Sequence, residues 1–220
     1  GEATGLIARY RFDEGVVADS APPPLGRGIG GTLENEAFLG PNGVSGEALW
    51  VTGTDDYAVA GAIDDYVLSI NNDLSLSLWF NAEEYGTGDW ANSLLCYGTA
   101  DYYSEDEESN YSYWLSVEPD LRIRAFWEYG NGSNETVFST EPAALTTDNW
   151  HHLVFTRDAA AKSATFHVDG QQIGEAVPFD NLPTGGGRGM LYMGSDNENY
   201  LGSGYELNGM LDEICIFNQV

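Results

Sequence analysis

The side chains able to do chemistry in this 220-residue sequence are overwhelmingly carboxylates, with 35 Asp and Glu against 8 Lys and Arg and 3 His. Paired carboxylates first suggest glycoside hydrolysis, in which retaining enzymes hold two carboxyl groups about 5–5.5 Å apart. The densest acidic run, Glu105-Asp106-Glu107-Glu108, lies in a polar stretch from Thr99 to Asn110 that reads as a loop. Charge runs of that kind are usually solvated tips. His151 and His152 are adjacent on an alternating run, so on a strand they face opposite ways and do not readily share one metal. The sequence contains neither Gly-x-Ser-x-Gly nor His-Glu-x-x-His, so it offers no nucleophile elbow and no zincin helix.

Carboxylates, amides and loop carbonyls are the oxygen ligands that calcium prefers, which makes calcium the metal this composition best suits. Asp55 and Asp56 open a strand just after Gly53 and are candidate ligands. Turn chemistry is the other reading, because Asp caps turns with its own side chain.

A binding face emerges from strand parity. In Leu121-Arg122-Ile123-Arg124-Ala125-Phe126-Trp127 the aliphatic residues share one face, leaving Arg122, Arg124 and Phe126 on the other. In Tyr113-Trp114-Leu115-Ser116-Val117, Leu115 and Val117 turn inward and send Trp114 out beside those arginines. A Trp beside Arg can stack on a sugar ring and pair with hydroxyls or carboxylates. The Tyr102-Tyr103 loop borders this face. The competing reading is that the arginines simply pair with neighbouring acids.

The elements that must hold these groups are strands. Short alternating runs separated by Gly, Asn, Asp and Pro predict Leu6–Phe12, Ala48–Val51, Ser75–Asn81, Tyr113–Val117, Leu121–Trp127, His151–Thr156, Ala164–Asp169 and Leu211–Phe217, with shorter candidates between them. Glu118-Pro119-Asp120 and Asp169-Gly170 each join two runs and predict antiparallel hairpins. No linker divides the chain, so one domain over 1–220 is expected. A chain of this length buries roughly 70% of its unfolded surface and needs no disulfide framework. Cys96 and Cys215 are therefore open to either a bridge or two thiols.

The net charge of −27, with Lys162 the only lysine, argues against nucleic acid and anionic bilayers as partners. Such a coat also suits a protein from a salty environment. No stretch of about 18 apolar residues is present and no basic-then-apolar leader opens the chain, so neither membrane insertion nor an export signal is expected within it.

Several pieces, in order, resemble the laminin-G-like jelly-roll family of the concanavalin A-like lectin/glucanase clan. They are Ala8-Arg9-Tyr10-Arg11-Phe12-Asp13-Glu14-Gly15 with Asp19-Ser20, Gly46-Glu47-Ala48-Leu49-Trp50-Val51 leading to Asp55-Asp56-Tyr57-Ala58-Val59, and Leu74-Ser75-Leu76-Ser77-Leu78-Trp79-Phe80. Asn149-Trp150-His151-His152-Leu153-Val154-Phe155-Thr156-Arg157, Ala164-Thr165-Phe166-His167-Val168-Asp169-Gly170 and the ending Leu207-Asn208-Gly209-Met210-Leu211-Asp212-Glu213-Ile214-Cys215-Ile216-Phe217-Asn218 continue the match.

The resemblance implies an all-β fold, a two-sheet antiparallel jelly-roll sandwich. It implies a calcium site at Asp212 helped by Asp19, and structural roles for the histidines. The clan's glucanases carry Glu-x-Asp-x-x-Glu on a strand, and none of the predicted strands has it. The expected function is a non-catalytic, calcium-stabilised carbohydrate-binding or adhesion module of a secreted or cell-surface protein, within a larger multidomain chain. An extracellular protein ligand is the alternative, and a glycoside hydrolase a more distant one.

Overall fold

The structure, a computed structural model, describes residues 5–22, 26, 28–53, 55–62, 68–86, 92–98, 111–130, 133–184, 189–196 and 205–220. Among these every regular element is a strand: β1 Leu6–Tyr10, β2 Gly31–Glu34, β3 Phe38–Pro41, β4 Glu47–Thr52, β5 Tyr57–Ala60, β6 Leu74–Ala82, β7 Ser93–Gly98 and β8 Tyr113–Val117. The second half supplies β9 Ile123–Glu128, β10 Asn134–Phe138, β11 His151–Asp158, β12 Ser163–Val168, β13 Gln171–Gln172, β14 Val177–Pro178, β15 Met190–Met193 and β16 Asn208–Phe217. No helix among them is long and apolar enough to cross a membrane.

The strands form two antiparallel sheets, the sandwich expected. One has nine strands, in the order β13-β12-β11-β6-β16-β4-β3, with β1 on β16 and β14 on β12. The other has seven, in the order β10-β9-β8-β7-β15-β5-β2. Leu74, Leu76, Leu78 and Phe80 of β6 face inward with Leu153 and Phe155 of β11, meeting Leu115, Val117, Ile123 and Ala125 from the opposite sheet. Cys96 and Cys215 lie in different sheets and form no disulfide. Their core-packed strand neighbours, Leu95 and Tyr97 in one sheet and Ile214 and Ile216 in the other, put the two thiols on opposite outer surfaces.

Both predicted hairpins form. Asp169 and Gly170 have φ of 51° and 76°, the double positive φ of a type I′ turn, and bring His167 opposite Gln172. At the other hairpin the Leu121 amide donates to the Glu118 carbonyl and the Glu118 amide to the Arg122 carbonyl. Leu121 has φ 64°, so the ladder begins at Ile123 and not at Leu121 as expected. Phe12, at φ 63°, likewise lies beyond the end of β1, which stops at Tyr10.

The strand predicted to end at Thr156 continues to Asp158, which carries Arg157 into the interior. Its guanidinium donates to the carbonyls of Ile70 (2.6 Å), Ser112 (3.0 Å) and Asn72 (3.2 Å) and sits 5.0 Å from the Trp127 ring centroid. Burial lowers its pKa to about 9, still charged at neutral pH. Because Ser112 leads into β8 and Trp127 belongs to β9, this side chain ties the two sheets together. Hydrogen bonds from a charged group contribute about 1.5–3 kcal/mol each, and orphaned buried carbonyls add a penalty. Arg157→Met should therefore destabilise the fold by on the order of 3 kcal/mol or more, read as a lower midpoint in guanidinium chloride. An unchanged midpoint would remove Arg157 from its tying role.

Candidate functional site: the outer face of the seven-stranded sheet

The antiparallel registers place one position from each strand in a continuous row across the sheet. Thr32 opposes Val59, Val59 opposes Tyr192, Tyr192 opposes Cys96, Cys96 opposes Trp114, Trp114 opposes Phe126 and Phe126 opposes Thr136. Their strand neighbours Ala58, Ala60, Leu191, Met193, Leu95, Tyr97, Leu115 and Ala125 fill the core, so parity directs the whole row outward.

The predicted direction of Trp114, Arg124 and Phe126 is thus found. Their expected exposure is not, since they are 3%, 2% and 6% exposed respectively. Trp114 packs edge-on against Phe126 (centroids 6.0 Å apart) and beside Tyr111 (5.7 Å), and its indole N–H donates to Ser93 Oγ at 2.9 Å. The Arg124 guanidinium lies 5.0 Å from the Trp114 centroid, with Nε 3.1 Å from Glu118 Oε1. An arginine whose ring contact and carboxylate are both supplied internally stabilises the face and has little left for a ligand. Arg122 stands apart, held by Asp120 at 2.6 Å and lying over Phe138. Tyr102 and Tyr103 lie outside the described residues, as do Trp90, Tyr200 and the run Glu105–Glu108.

The other half of the same face is open. Gly30, Gly31, Thr32, Glu34, Tyr57, Val59, Gly61, Met190 and Tyr192 line a groove of about 580 Å³, within the roughly 300–1,000 Å³ common for small-ligand clefts. The Tyr57 and Tyr192 rings form its aromatic wall, 5.6 Å apart and inclined by 52°. Glu34 opposes Tyr57 across the β2–β5 pair, and the Thr32 hydroxyl donates to its Oε1 at 2.7 Å. Burial, then the nearby Glu34 and Asp55 charges, raises the Tyr57 phenol, and burial first also raises Tyr192. Both are neutral hydroxyls at physiological pH. Gly31, paired with core-facing Ala60, turns away from the groove, and a Cβ on it would meet the Val59 carbonyl at 2.3 Å, so the packing beneath the groove requires glycine there.

This groove is not among the sites expected from the sequence. Its one legible signal is Tyr57-Ala58-Val59-Ala60, where small residues turn inward and larger ones outward. Met190-Leu191-Tyr192-Met193 is apolar throughout and has no alternation to read.

The four aspartates proposed as metal ligands do different work. Asp19 accepts the amides of Arg9, Ala21 and Gly28, and Asp56 those of Glu36 and Thr52 as well as the Thr52 hydroxyl, which is turn chemistry. Asp55, at φ 57°, occupies the turn before β5. Asp212 is fully buried at a bulge in β16, where its carboxylate accepts the amides of Ser45 and Glu213. Desolvation pushes its pKa up to about 6, the mark of a carboxylate short of positive charge.

Among the described residues no three His, Cys, Asp or Glu side chains converge as a metal-holding group. Two carboxylates do meet one turn. A Cβ on Gly43 would sit 2.9 Å from Asp212 Oδ2 and one on Gly46 2.3 Å from Asp13 Oδ1, a buried oxygen with no hydrogen-bond partner. The orphaned oxygen, the desolvated carboxylate and the room left by Gly43 and Gly46 fit a hard cation. Asp13, absent from the expected set, therefore suits that role better than Asp19.

His151 bridges Asp169 through Nδ1 at 2.8 Å, while Nε2 lies 3.0 Å from the Thr146 amide nitrogen. His152 stacks on Trp79 at 4.9 Å on the opposite side of its strand. The pair does not share a ligand position, as strand parity requires.

No curated protein sequence matches the chain. Solved structures of similar fold include domain 4 of AbnA, a GH43 extracellular arabinanase from Geobacillus stearothermophilus, in complex with arabinotriose. It has a TM-score of 0.63 and 19% identity over 97% of this chain and 92% of that one. Trypanosoma rangeli sialidase matches at TM-score 0.62 and 18% identity over 99% of this chain and 31% of its own. The binding domain of botulinum neurotoxin DC, in complex with rat synaptotagmin II, matches at 0.68 and 10% over 100% and 49%. At these identities the likeness establishes the fold alone. A laminin-G family model, described as the concanavalin A-like lectin/glucanases superfamily, matches residues 52–220, and the chain belongs to that family.

Proposed function

We propose that the chain is a non-catalytic glycan-binding module of a secreted or cell-surface protein and that the Tyr57–Tyr192 groove is its binding site. The groove carries the reading, because it joins an aromatic wall, hydroxyls and a carboxylate beside a floor opened by Gly30 and Gly61. Aromatic faces supply stacking area, while polar groups orient sugar hydroxyls. The carboxylate among the groove's lining residues is Glu34, whereas glycoside hydrolysis uses a pair. The arabinotriose complex of the arabinanase domain supports the same class of ligand. A protein ligand is the competing reading, favoured by Phe38, which is 46% exposed and stacked on Trp50 at the edge of the larger sheet.

On a glycan array the protein should give sugar-selective signals without releasing reducing ends. Tyr57→Ala should weaken the best glycan by about 1–3 kcal/mol, as truncated aromatic anchors do, with its melting temperature held. Trp114→Ala should instead lower stability by about 3–5 kcal/mol. Wild-type affinity in a folded Tyr57→Ala protein would contradict the assignment.

We infer further that calcium stabilises the module at the 43–46 turn, held by Asp212 and by the unpaired oxygen of Asp13, whose other oxygen pairs with Arg11 at 2.7 Å, and that it would supply the charge the buried Asp212 carboxylate lacks. A ligand at about 100 times its Kd adds about 2.7 kcal/mol to the folded state, or roughly 5–10 °C for a domain of this size. Calcium added to chelated protein should produce that rise, and Asp13→Asn or Asp212→Asn should remove it. No rise in wild type would refute the site.

A further inference from the structure

We propose that the groove selects a sugar bearing a free amine, whose ammonium group sits between the Glu34 carboxylate and the inclined Tyr57 and Tyr192 rings. This rests on the glycan-binding reading above and narrows it to a substrate class.

Four observations carry the inference. Glu34 is fixed on the groove wall by Thr32 at 2.7 Å, directly across the strand pair from Tyr57. Among the described residues the lining includes that carboxylate and no Lys, Arg or His, so a cation entering the groove meets no like charge from them. Two tyrosine rings inclined by 52° present electron-rich faces at an angle, an arrangement that attracts ammonium groups by cation–π interaction. The chain's net charge of −27 adds a field that draws cations in and repels uronates, sialates and sulfated sugars.

A fifth observation concerns shape. Gly30 and Gly61 leave one end of the groove's floor without side chains, and among the described residues a Cβ on Gly30 would have only the Val17 carbonyl within 4 Å, at 3.9 Å. A pyranose ring can therefore approach the backbone while its amine reaches the carboxylate. A free amine on a peptide would share the ammonium chemistry but not the ring, so an oligolysine probe separates the two sources.

The test is calorimetric titration of the whole chain at near-physiological ionic strength with four probes. They are a glucosamine hexamer, the matching N-acetylglucosamine hexamer, an oligogalacturonate and an oligolysine of equal charge to the first. Each is repeated with Glu34→Gln and Tyr57→Ala. The glucosamine hexamer should bind about tenfold or more tighter than its N-acetylated counterpart, the difference expected of one charge-assisted contact, and also tighter than oligolysine. Glu34→Gln should collapse the difference between the two hexamers without lowering the melting temperature, and oligogalacturonate should not bind. Equal binding of the two hexamers, or equal binding of oligolysine, overturns the amine preference while leaving the glycan reading standing. Failure of every sugar to bind overturns both.

Discussion

The cross-strand row from Thr32 to Thr136 is the constraint on which the rest of the smaller sheet depends. Its seven members are fixed by backbone ladders, so none can leave the outer face without a register slip that would expel the core residues beside it. Along this row the sheet changes character. At Cys96, Trp114 and Phe126 both faces are buried, and β7, β8 and β9 are buried at every position. At Val59 and Thr32 the same face opens into the groove. Tyr192 belongs to both halves, lining the groove while packing with the aromatic cluster. The rigid half thus supports the wall of the open half, which is how a binding surface avoids reorganising when a ligand arrives.

Two charges taken out of water, Arg157 and Asp212, set the remaining architecture, and both are solvated by backbone dipoles. Arg157 lies inside the sandwich with three carbonyls and an indole face, linking elements of both sheets. Asp212 does the complementary task with amides. β16 pairs with β6 along one side and with β4 and then β1 along the other, and its bulge falls between Asp212 and Cys215, where the partner changes. The Asp212 carboxylate gathers amides at that seam. Nearby, Arg9 and Arg11 both reach Glu213 on the surface. Among the described residues, the arginines are thus spent on structure, and Glu34 is the charged residue of the groove's described lining.

Much of the fold was legible because strands in a sandwich alternate. Tyr113–Val117 is found with its predicted ends, and both hairpins were signalled by turn residues. Parity also oriented Trp114, Arg124 and Phe126 correctly. Exposure was not legible, since alternation distinguishes two faces and does not say whether the outer one is covered. Burial of a guanidinium is made tolerable at Arg124 and Arg157 by Glu118 and by three distant carbonyls respectively. Those partners are close in space and remote in sequence, apart from Glu118. Asp13 was missed because its role depends on the 43–46 turn, which local sequence does not bring to it. The groove escaped notice because β2 and β15 are four residues each, too short for a period to declare itself.

The central claim is that one outer face carries a structural half and a binding half. Amide hydrogen exchange with and without a saturating glycan, chosen from the array, tests it most directly. New protection is predicted in 30–34, 57–61 and 190–192, with β8 and β9 already protected and unchanged. Protection confined to β8 and β9, or to the 43–46 turn, would contradict the division and move the ligand elsewhere.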